Sequence, residues 1–154
     1  MTIAVVRMRG TVKINYDIRD TLAMLRINRV NHCVLIKESP QYLGMLQKTK
    51  DYITWGTIDR ETAARLIKAR GRLVGGTPID DAAVSAMGAF KSVEELAHAV
   101  ADGKAEWGKV EGTVPVFRLH PPRKGHEGMK RSWQAGGALG NRGVEINALI
   151  GKML

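Results

Sequence analysis

Basic side chains stand where two short apolar runs meet loops, and such groups are the usual protein ligands of phosphate. The segment RMRG at residues 7–10 ends the first apolar run, and its glycine lets the backbone approach an anion closely. The connection LRINRVNH at residues 25–32 precedes the second run and contributes Arg26, Arg29, Asn31 and His32. The pattern indicates a phosphate-binding loop cluster, although an ordinary polar strand-to-helix loop explains residues 7–10 equally well.

A second basic stretch, HPPRKGHEGMKRSWQAGGALGNRG at residues 120–143, is rich in glycine, proline, lysine and arginine. Such a segment cannot bury enough apolar surface to order itself, so we expect an extended tail that a partner orders. Trp133 lies close to Lys130 and Arg131, where its ring can stack on an exposed base or anchor the tail on the protein. The sequence favours neither role of Trp133 over the other.

Other reactive residues match known chemistries poorly. Neighbouring positions of a strand face opposite sides, so His32 and Cys33 are unsuited to a thiol–imidazole pair, and we expect Cys33 in the core. The tail's histidines and Glu127 match no common zinc spacing, which favours histidines that contact RNA over a metal site. The glycines of residues 136–143 lack the context of a nucleotide-binding loop. We therefore expect neither a metal nor a cofactor.

The distribution of charge indicates the partner class. The chain carries 24 Lys and Arg against 15 Asp and Glu, a net charge of +9. Residues 1–60 hold 10 basic and 5 acidic side chains, residues 61–117 hold 7 and 8, and residues 118–154 hold 7 and 2. A polyanion contacted by both ends of the chain explains this pattern better than a merely soluble basic surface does, so nucleic acid is the predicted partner.

Composition excludes several classes of protein. Hydrophobic residues make up 44% of the 154, so a core can form and wholesale disorder is not expected. The single cysteine excludes an intrachain disulfide, which fits a reducing compartment. No apolar run is long enough for a membrane span, and residues 1–3 enter a strand without the features of a signal peptide. We expect a cytoplasmic protein with neither a membrane nor a small-molecule substrate as partner.

Local patterns predict a β-α-β-α-β core over residues 1–57 that positions the first basic cluster. Apolar, β-branched or aromatic runs predict three strands, at residues 3–6, 33–36 and 52–57. The helix between the first two strands is capped by Asn15 and has one apolar face, formed by Ile18, Leu22 and Leu25. The second helix begins at Ser39-Pro40 and runs to Lys50, with Leu43 and Leu46 directed inward.

Residues 58–113 are predicted to form a helical insertion. Asp59 caps its first helix, a short helix follows, and Ser92 with Glu95 forms the capping box of the last. Residues 114–154 are predicted to supply an edge strand at 114–119, where Pro115 disfavours a central position, then the basic tail and a terminal helix.

Three stretches resemble a known family. They are TIAVVRMRG at residues 2–10, DTLAMLRINRVNHCVLI at residues 20–36 and SPQYLGMLQKTKDYITWG at residues 39–56. Together they resemble the large-subunit ribosomal protein numbered thirty in its long archaeal form, related to eukaryotic ribosomal protein L-seven. RLHPPRKGHEG at residues 118–128 and GGALGNRG at residues 136–143 resemble the archaeal tail. Bacterial relatives resemble only residues 1–57, and the long basic N-terminal extension of eukaryotic relatives is absent.

The resemblance implies an α+β protein whose core is similar to the ferredoxin-like fold, with an antiparallel three-stranded sheet. It implies ribosomal RNA binding in the large subunit without catalysis, with neighbouring ribosomal proteins and the small 5S RNA as further partners. From the residues and the resemblance together we select these RNA-binding candidates: Arg7, Arg9, Lys13, Arg26, Arg29, Asn31, His32, Lys48, Lys50, His120, Arg123, Lys124, His126, Lys130, Arg131, Trp133 and Arg142.

The leading hypothesis is therefore a structural constituent of the large ribosomal subunit. A small hydrolase of the acylphosphatase kind is the second, with Arg9 and Asn31 holding phosphate and orienting water, but the sequence offers no convincing nucleophile or acid–base pair. A free RNA-binding regulator or chaperone is the third. Retention on salt-washed subunits separates the first hypothesis from the third.

Overall fold

In the computed structural model, which describes all 154 residues, the chain forms a five-stranded mixed sheet and six α-helices. The strands are β1 (Thr2–Arg7), β2 (His32–Lys37), β3 (Ile53–Thr57), β4 (Val116–Arg118) and β5 (Gly140–Asn141). The helices are α1 (Tyr16–Met24), α2 (Pro40–Lys48), α3 (Arg60–Arg70), α4 (Asp81–Ala86), α5 (Val93–Ala101) and α6 (Ile146–Met153). Short 3₁₀ turns lie at Trp107–Lys109, Trp133–Ala135 and Gly143–Glu145.

The sheet has the order β4-β2-β1-β3-β5. The central strand β1 is antiparallel to both β2 and β3, β4 is antiparallel to β2, and β5 is parallel to β3. At one end of the sheet, the last residues of β1 and β4 therefore lie beside the first residues of β2, β3 and β5. We call this end of the sheet the strand-end side.

The predicted β-α-β-α-β order of residues 1–57 is confirmed, since its helices start at local capping signals. The Asn15 side chain accepts a hydrogen bond from the Asp17 amide at 3.3 Å, and the Ser39 hydroxyl accepts one from the Tyr42 amide at 3.3 Å. The prediction was wrong for Leu43, which is 41% exposed because α2 presents mainly Leu46 to the core.

Alternation along the strands builds an apolar layer on each face of the sheet. Val5 and Val34 face α1 and α2, in a cluster with Leu22 and Leu46. The opposite face packs under α3, α5 and α6, in a larger cluster that includes Val6, Cys33, Leu66, Leu96, Phe117 and Ile150. The helical insertion and the terminal helix therefore cover the face of the sheet that α1 and α2 leave open.

Two caps of the insertion differ in detail from the prediction. Asp59 precedes α3, but its side chain makes no capping hydrogen bond. The Ser92 hydroxyl accepts from the Glu95 amide at 3.2 Å as predicted, whereas the Glu95 carboxylate accepts from the Lys91 amide at 2.9 Å instead of the Ser92 amide. The capping box is therefore half formed, with its reciprocal bond displaced by one residue.

The C-terminal segment contradicts the expected extended tail. Strand β4 is an edge strand, as predicted, and it pairs with β2, which was not predicted. Residues 120–145 then fold back onto the protein. The Thr54 hydroxyl donates to the Gly140 carbonyl at 2.9 Å, and Ala138 and Leu139 are 1% and 4% exposed. The expectation failed because two buried apolar residues and the backbone pairing of β5 with β3 hold a glycine-rich segment that has no large core of its own.

Candidate nucleic-acid interface

The strand-end side is held together by backbone hydrogen bonds between loops that are distant in sequence. The Asn31 amide donates to the Arg7 carbonyl at 2.9 Å, and the Leu119 amide donates to the Asn31 carbonyl at 3.1 Å. The Met8 amide donates to the Tyr52 carbonyl at 2.9 Å. These bonds fix the ends of β1 and β4 against the beginnings of β2 and β3, so the side chains of these loops share one rigid surface.

Arg7 lies inside the protein and not on that surface. Its side chain is 1% exposed, with Nη1 donating to the Ile27 carbonyl at 2.8 Å and Nε donating to the Arg9 carbonyl at 2.9 Å. Burial lowers the pKa of the Arg7 guanidinium from its ordinary value. Arg7 is therefore not the exposed phosphate ligand that the sequence had suggested. Its hydrogen bond to Ile27 instead positions the α1–β2 connection, which carries Arg26 and Arg29.

Among the exposed or half-exposed groups at this side, four lie around the α1–β2 connection and the end of β4. We call them the strand-end cluster: Arg29, Asn31, His32 and Arg118. His32 and Arg118 are paired directly across β2 and β4. Burial lowers the pKa of the His32 imidazole, and the charges of Arg118, Arg29 and Arg7 lower it further. The cluster therefore concentrates positive charge around a histidine that ordinary neutral pH leaves uncharged.

The polar atoms of this region are not fully satisfied within the protein. Arg7 Nη2, Asn31 Oδ1 and His32 Nδ1 are buried without a hydrogen-bond partner. The two ion pairs of the molecule, Arg60–Asp102 and Lys109–Glu106, both lie outside the cluster. Of these atoms, Arg7 Nη2 is a donor, Asn31 Oδ1 is an acceptor and His32 Nδ1 can be either. The suitability of the region for an anion therefore rests on the cations Arg29 and Arg118, which have no carboxylate partner.

The connection that carries Arg26 and Arg29 has an unusual backbone. Arg26 and Asn31 adopt positive φ values of 62° and 65°, a conformation that asparagine tolerates better than arginine does. Both arginine side chains are exposed. Among the other candidates, Lys13 is likewise exposed at positive φ, in the loop before α1.

A groove lies between the core and the C-terminal segment, next to β3 and β5. It has a volume of about 400 Å³, and its lining includes Lys50, Lys130, Trp133 and Asn141. Arg9 lies nearby at the start of β3, with its guanidinium 5.2 Å from the centre of the Tyr52 ring and Nη1 donating to the Asp51 carbonyl at 3.3 Å. The structure thus brings together two lysines that are 80 residues apart in sequence.

Trp133 and Arg142 contact each other, which supports the anchoring role of Trp133 in the isolated protein. The Arg142 guanidinium lies 4.3 Å from the centre of the Trp133 ring. It also donates to the Thr54 hydroxyl at 3.0 Å and to the Ala138 carbonyl at 2.9 Å, and burial lowers its pKa. Arg142 therefore anchors the C-terminal segment internally, while its contact with RNA stays a prediction.

The remaining candidates are dispersed. Exposed side chains without an ion-pair partner are those of Lys48, His120, Arg123, Lys124, Lys130 and Arg131. His126 is half-buried in a separate small cavity, where burial and the charge of Arg142 lower its pKa. Among them, His120 follows Leu119 at the end of β4, near the strand-end cluster, and Lys130 lines the groove that also contains Lys50.

Arg118 was missed by the sequence reasoning. Its signal was available, because alternation within residues 114–119 places Val114, Val116 and Arg118 on one side of a predicted edge strand. What the sequence did not show is that β4 pairs with β2, which places Arg118 opposite His32.

Other chemistries find little support in the geometry. Cys33 is fully buried, as predicted, and burial raises the pKa of its thiol to about 12. Nowhere do three or more His, Cys, Asp or Glu side chains come together as a metal site would require. None of the helices combines the length and hydrophobicity needed to cross a membrane.

Comparison with known proteins gives the family. A model described as Ribosomal protein L30p/L7e matches residues 3–53. The large ribosomal subunit protein uL30 of Methanocella arvoryzae is 49% identical over 150 residues, covering 97% of this chain and 98% of that protein. The chain belongs to the uL30 family. The uL30 proteins of Methanopyrus kandleri and Methanoculleus marisnigri are 50% and 47% identical and cover 96% and 97% of the chain.

The two kinds of comparison cover different parts of the structure. The family model covers β1 to the start of β3, which holds every member of the strand-end cluster except Arg118. The uL30 relatives extend the similarity through β4, the C-terminal segment and α6. The resemblance in residues 118–143 is therefore confirmed as part of a nearly full-length relationship.

Proposed function

We propose that this protein is a structural, non-catalytic constituent of the large ribosomal subunit that binds and stabilises ribosomal RNA. The observation that carries the proposal is the strand-end cluster, where cations and unsatisfied polar atoms meet without a carboxylate partner. The names of the uL30 relatives, which describe large ribosomal subunit proteins, supply the cellular context. Translation in the cytoplasm is the process in which such a protein takes part.

The proposed mechanism is electrostatic. Exposed arginines and lysines of the core and the C-terminal segment neutralise phosphates and release counterions, while the rigid loops select the shape of the RNA. Residues 1–57, a ferredoxin-like core, and residues 114–154 carry the excess positive charge and face RNA. Most of the insertion at residues 58–113, which lacks excess positive charge, faces elsewhere.

Binding to ribosomal RNA as a function of salt tests the proposal. Affinity for large-subunit ribosomal RNA should fall steeply as salt rises, because each neutralised phosphate releases counterions. The double variant Arg26→Glu with Arg29→Glu should lose affinity and enter subunits poorly. Lys91→Glu with Lys104→Glu, the same charge change on exposed residues of the insertion, is the matched control and should bind normally. A salt-independent affinity would contradict the mechanism.

A native lysate separated on a sucrose gradient tests the assignment to the subunit. We expect the chain to migrate with the large subunit and to stay there through a high-salt wash. A peak only at the top of the gradient would favour a free RNA-binding regulator. Parallel titrations with 5S RNA and with fragments of the larger ribosomal RNA test whether the small RNA is also a partner.

A further inference from the structure

A cavity of about 370 Å³ lies against the outer edge of β4, beyond the residues selected from the sequence. Its lining consists of Arg70, Arg72, Gly76, Val114, Val116 and Arg118. Three different elements supply the arginines, since Arg70 ends α3, Arg72 follows it and Arg118 ends β4. The Val114 amide donates to the Arg72 carbonyl at 2.8 Å, which ties the two walls of the cavity together.

The charge of this cavity is uncompensated. No Asp or Glu side chain lines it, and none of its arginines belongs to either ion pair of the molecule. Arg70 donates to the Leu154 main-chain oxygen at 3.3 Å and Arg72 to the Gly71 carbonyl at 3.0 Å, so each keeps further N–H donors for a ligand. Guanidinium groups with spare donors are suited to bind phosphate oxygens in pairs.

The backbone of β4 adds donors to the same space. In an antiparallel pair, alternate amides point toward the partner strand and away from it. The Leu119 amide donates toward β2, to the Asn31 carbonyl, whereas the Val114 amide donates away from β2, to Arg72. By this alternation the amides of Val116 and Arg118 face the open edge, where β4 has no neighbouring strand.

The cavity and the strand-end cluster share one residue, Arg118. Arg118 lines the cavity and is also the residue opposite His32 across β2 and β4. A ligand that follows the outer edge of β4 therefore contacts Arg72 and Arg70 first and then Arg118. Arg118 in turn lies opposite His32 in the strand-end cluster, so positively charged side chains are present along the whole path.

We propose that the outer edge of β4 is a second RNA-backbone site, in which Arg70, Arg72, Arg118 and the open amides of β4 bind successive phosphates of one strand. This inference rests on the proposed RNA-binding function and gives it a direction along the protein surface. An acidic protein segment added to β4 would satisfy the amides as well. RNA accounts in addition for the position of Arg118, which lines the cavity and also lies beside His32 and the other residues of the strand-end cluster.

The test uses the full chain with three substitutions, Arg70→Gln, Arg72→Gln and Arg118→Gln. Affinity for large-subunit ribosomal RNA should fall about tenfold or more, and the slope of log affinity against log salt should decrease by roughly 0.7–0.9 for each phosphate that the variant no longer neutralises. The matched control is Arg65→Gln, Lys68→Gln and Lys104→Gln, which removes the same charge from exposed positions outside the cavity. The control should keep the affinity and slope of the wild type.

A second measurement covers the case in which the triple variant unfolds. Arg118→Gln alone removes an exposed side chain that makes no hydrogen bond in the protein, so its melting temperature should match that of the wild type. In the wild type, the NMR signals of the Val116 and Arg118 amides should shift when a ribosomal RNA fragment is added.

Three outcomes would overturn the inference. Wild-type affinity of the triple variant, together with weakened binding of the Arg26→Glu and Arg29→Glu double variant, would reject this site and leave the proposed function standing. Normal RNA binding with failed incorporation into subunits would assign the cavity to a protein partner. Failure of the wild type itself to bind ribosomal RNA would reject both proposals.

Discussion

The strand-end side of the sheet, called the sheet end below, and the C-terminal segment are both basic in sequence, yet their cations are positioned in different ways. At the strand-end side, Arg29 lies in the α1–β2 connection and Arg118 ends β4, and both remain exposed on a part of the chain that is fixed by backbone hydrogen bonds. In the C-terminal segment, Arg142 is turned inward against Trp133 and Thr54 to hold the segment in place. Similar composition therefore gives exposed, rigidly held cations in one region and a segment anchored to β3 in the other.

Each region also contains a cation that has a structural role instead of a surface one. Arg7 at the sheet end and Arg142 in the C-terminal segment both donate to carbonyl oxygens of their own region. Arg7 belongs to the central strand of a sheet that is covered on both faces. Arg142, in contrast, holds a segment that pairs with β3 through only two residues. We therefore expect the sheet end to be the more stable of the two.

The largest effect is expected for Arg7. Arg7→Met leaves the buried carbonyls of Ile27 and Arg9 without their charged donor, so the free energy of unfolding should fall by about 2–4 kcal/mol. Urea unfolding measures this change. Arg9→Met, which removes a half-exposed cation, is the control and should cost at most about 1 kcal/mol. An unchanged unfolding midpoint with lost RNA affinity would restore Arg7 as a surface ligand of RNA.

A glycine in β3 tests the junction between the two regions. A methyl group at Gly56 would collide with the Gly143 carbonyl oxygen, so Gly56→Ala should destabilise the protein by about 1–3 kcal/mol and loosen the C-terminal segment. Thermal unfolding and limited proteolysis measure the two effects. Gly44→Ala, in α2 with no atom near the added methyl group, should instead stabilise by about 0.5–1 kcal/mol. Equal results for the two variants would disprove the close approach.

A smaller and local effect is expected for Trp133. Trp133→Ala removes the ring that lies against Arg142, so the Leu139 amide, which donates to the Arg131 carbonyl, should exchange with solvent faster by about tenfold. Amides of β1 should keep their protection, and Gln134→Ala is the neighbouring control. If exchange is unchanged while RNA affinity drops, Trp133 is a base-stacking residue and not an anchor.

The smallest effect concerns pH. Because the pKa of His32 is lowered in the folded protein, the unfolded chain binds more protons between that lowered pKa and about 6.5. The contribution of His32 to stability is complete above about pH 6.5 and declines as pH falls through this window. Unfolding measured across the window should show a decline that His32→Gln reduces. An RNA phosphate should raise the pKa of His32, so an NMR titration with added RNA that shows no increase would place the phosphate elsewhere.

Local signals accounted for much of the core. Asn15, Ser39 and Ser92 were predicted as caps, and each accepts the hydrogen bond of an amide two or three residues later. Cys33 was predicted in the core from its place in a short apolar run, and it is fully buried. Such predictions succeed because the deciding interactions lie within one turn or one strand.

The candidate site was predictable only in part. Residues 26–32 were identified from their composition, and the structure places Arg29, Asn31 and His32 together. The inward turn of Arg7 depends on a carbonyl 20 residues away, and that of Arg142 on a hydroxyl 88 residues away. No local pattern contains such partners, so charge alone predicted exposure for both.

The sequence by itself determined the order of the helices and of strands β1 to β4, the excess of positive charge at both ends of the chain and, through its motifs, the family. Tertiary structure alone decided which cations are exposed, that β4 places Arg118 opposite His32, and that the C-terminal segment folds back onto β3. The physical reason is one of range. Capping and periodicity act between residues a few positions apart, whereas burial and pairing depend on backbone groups brought together from distant parts of the chain.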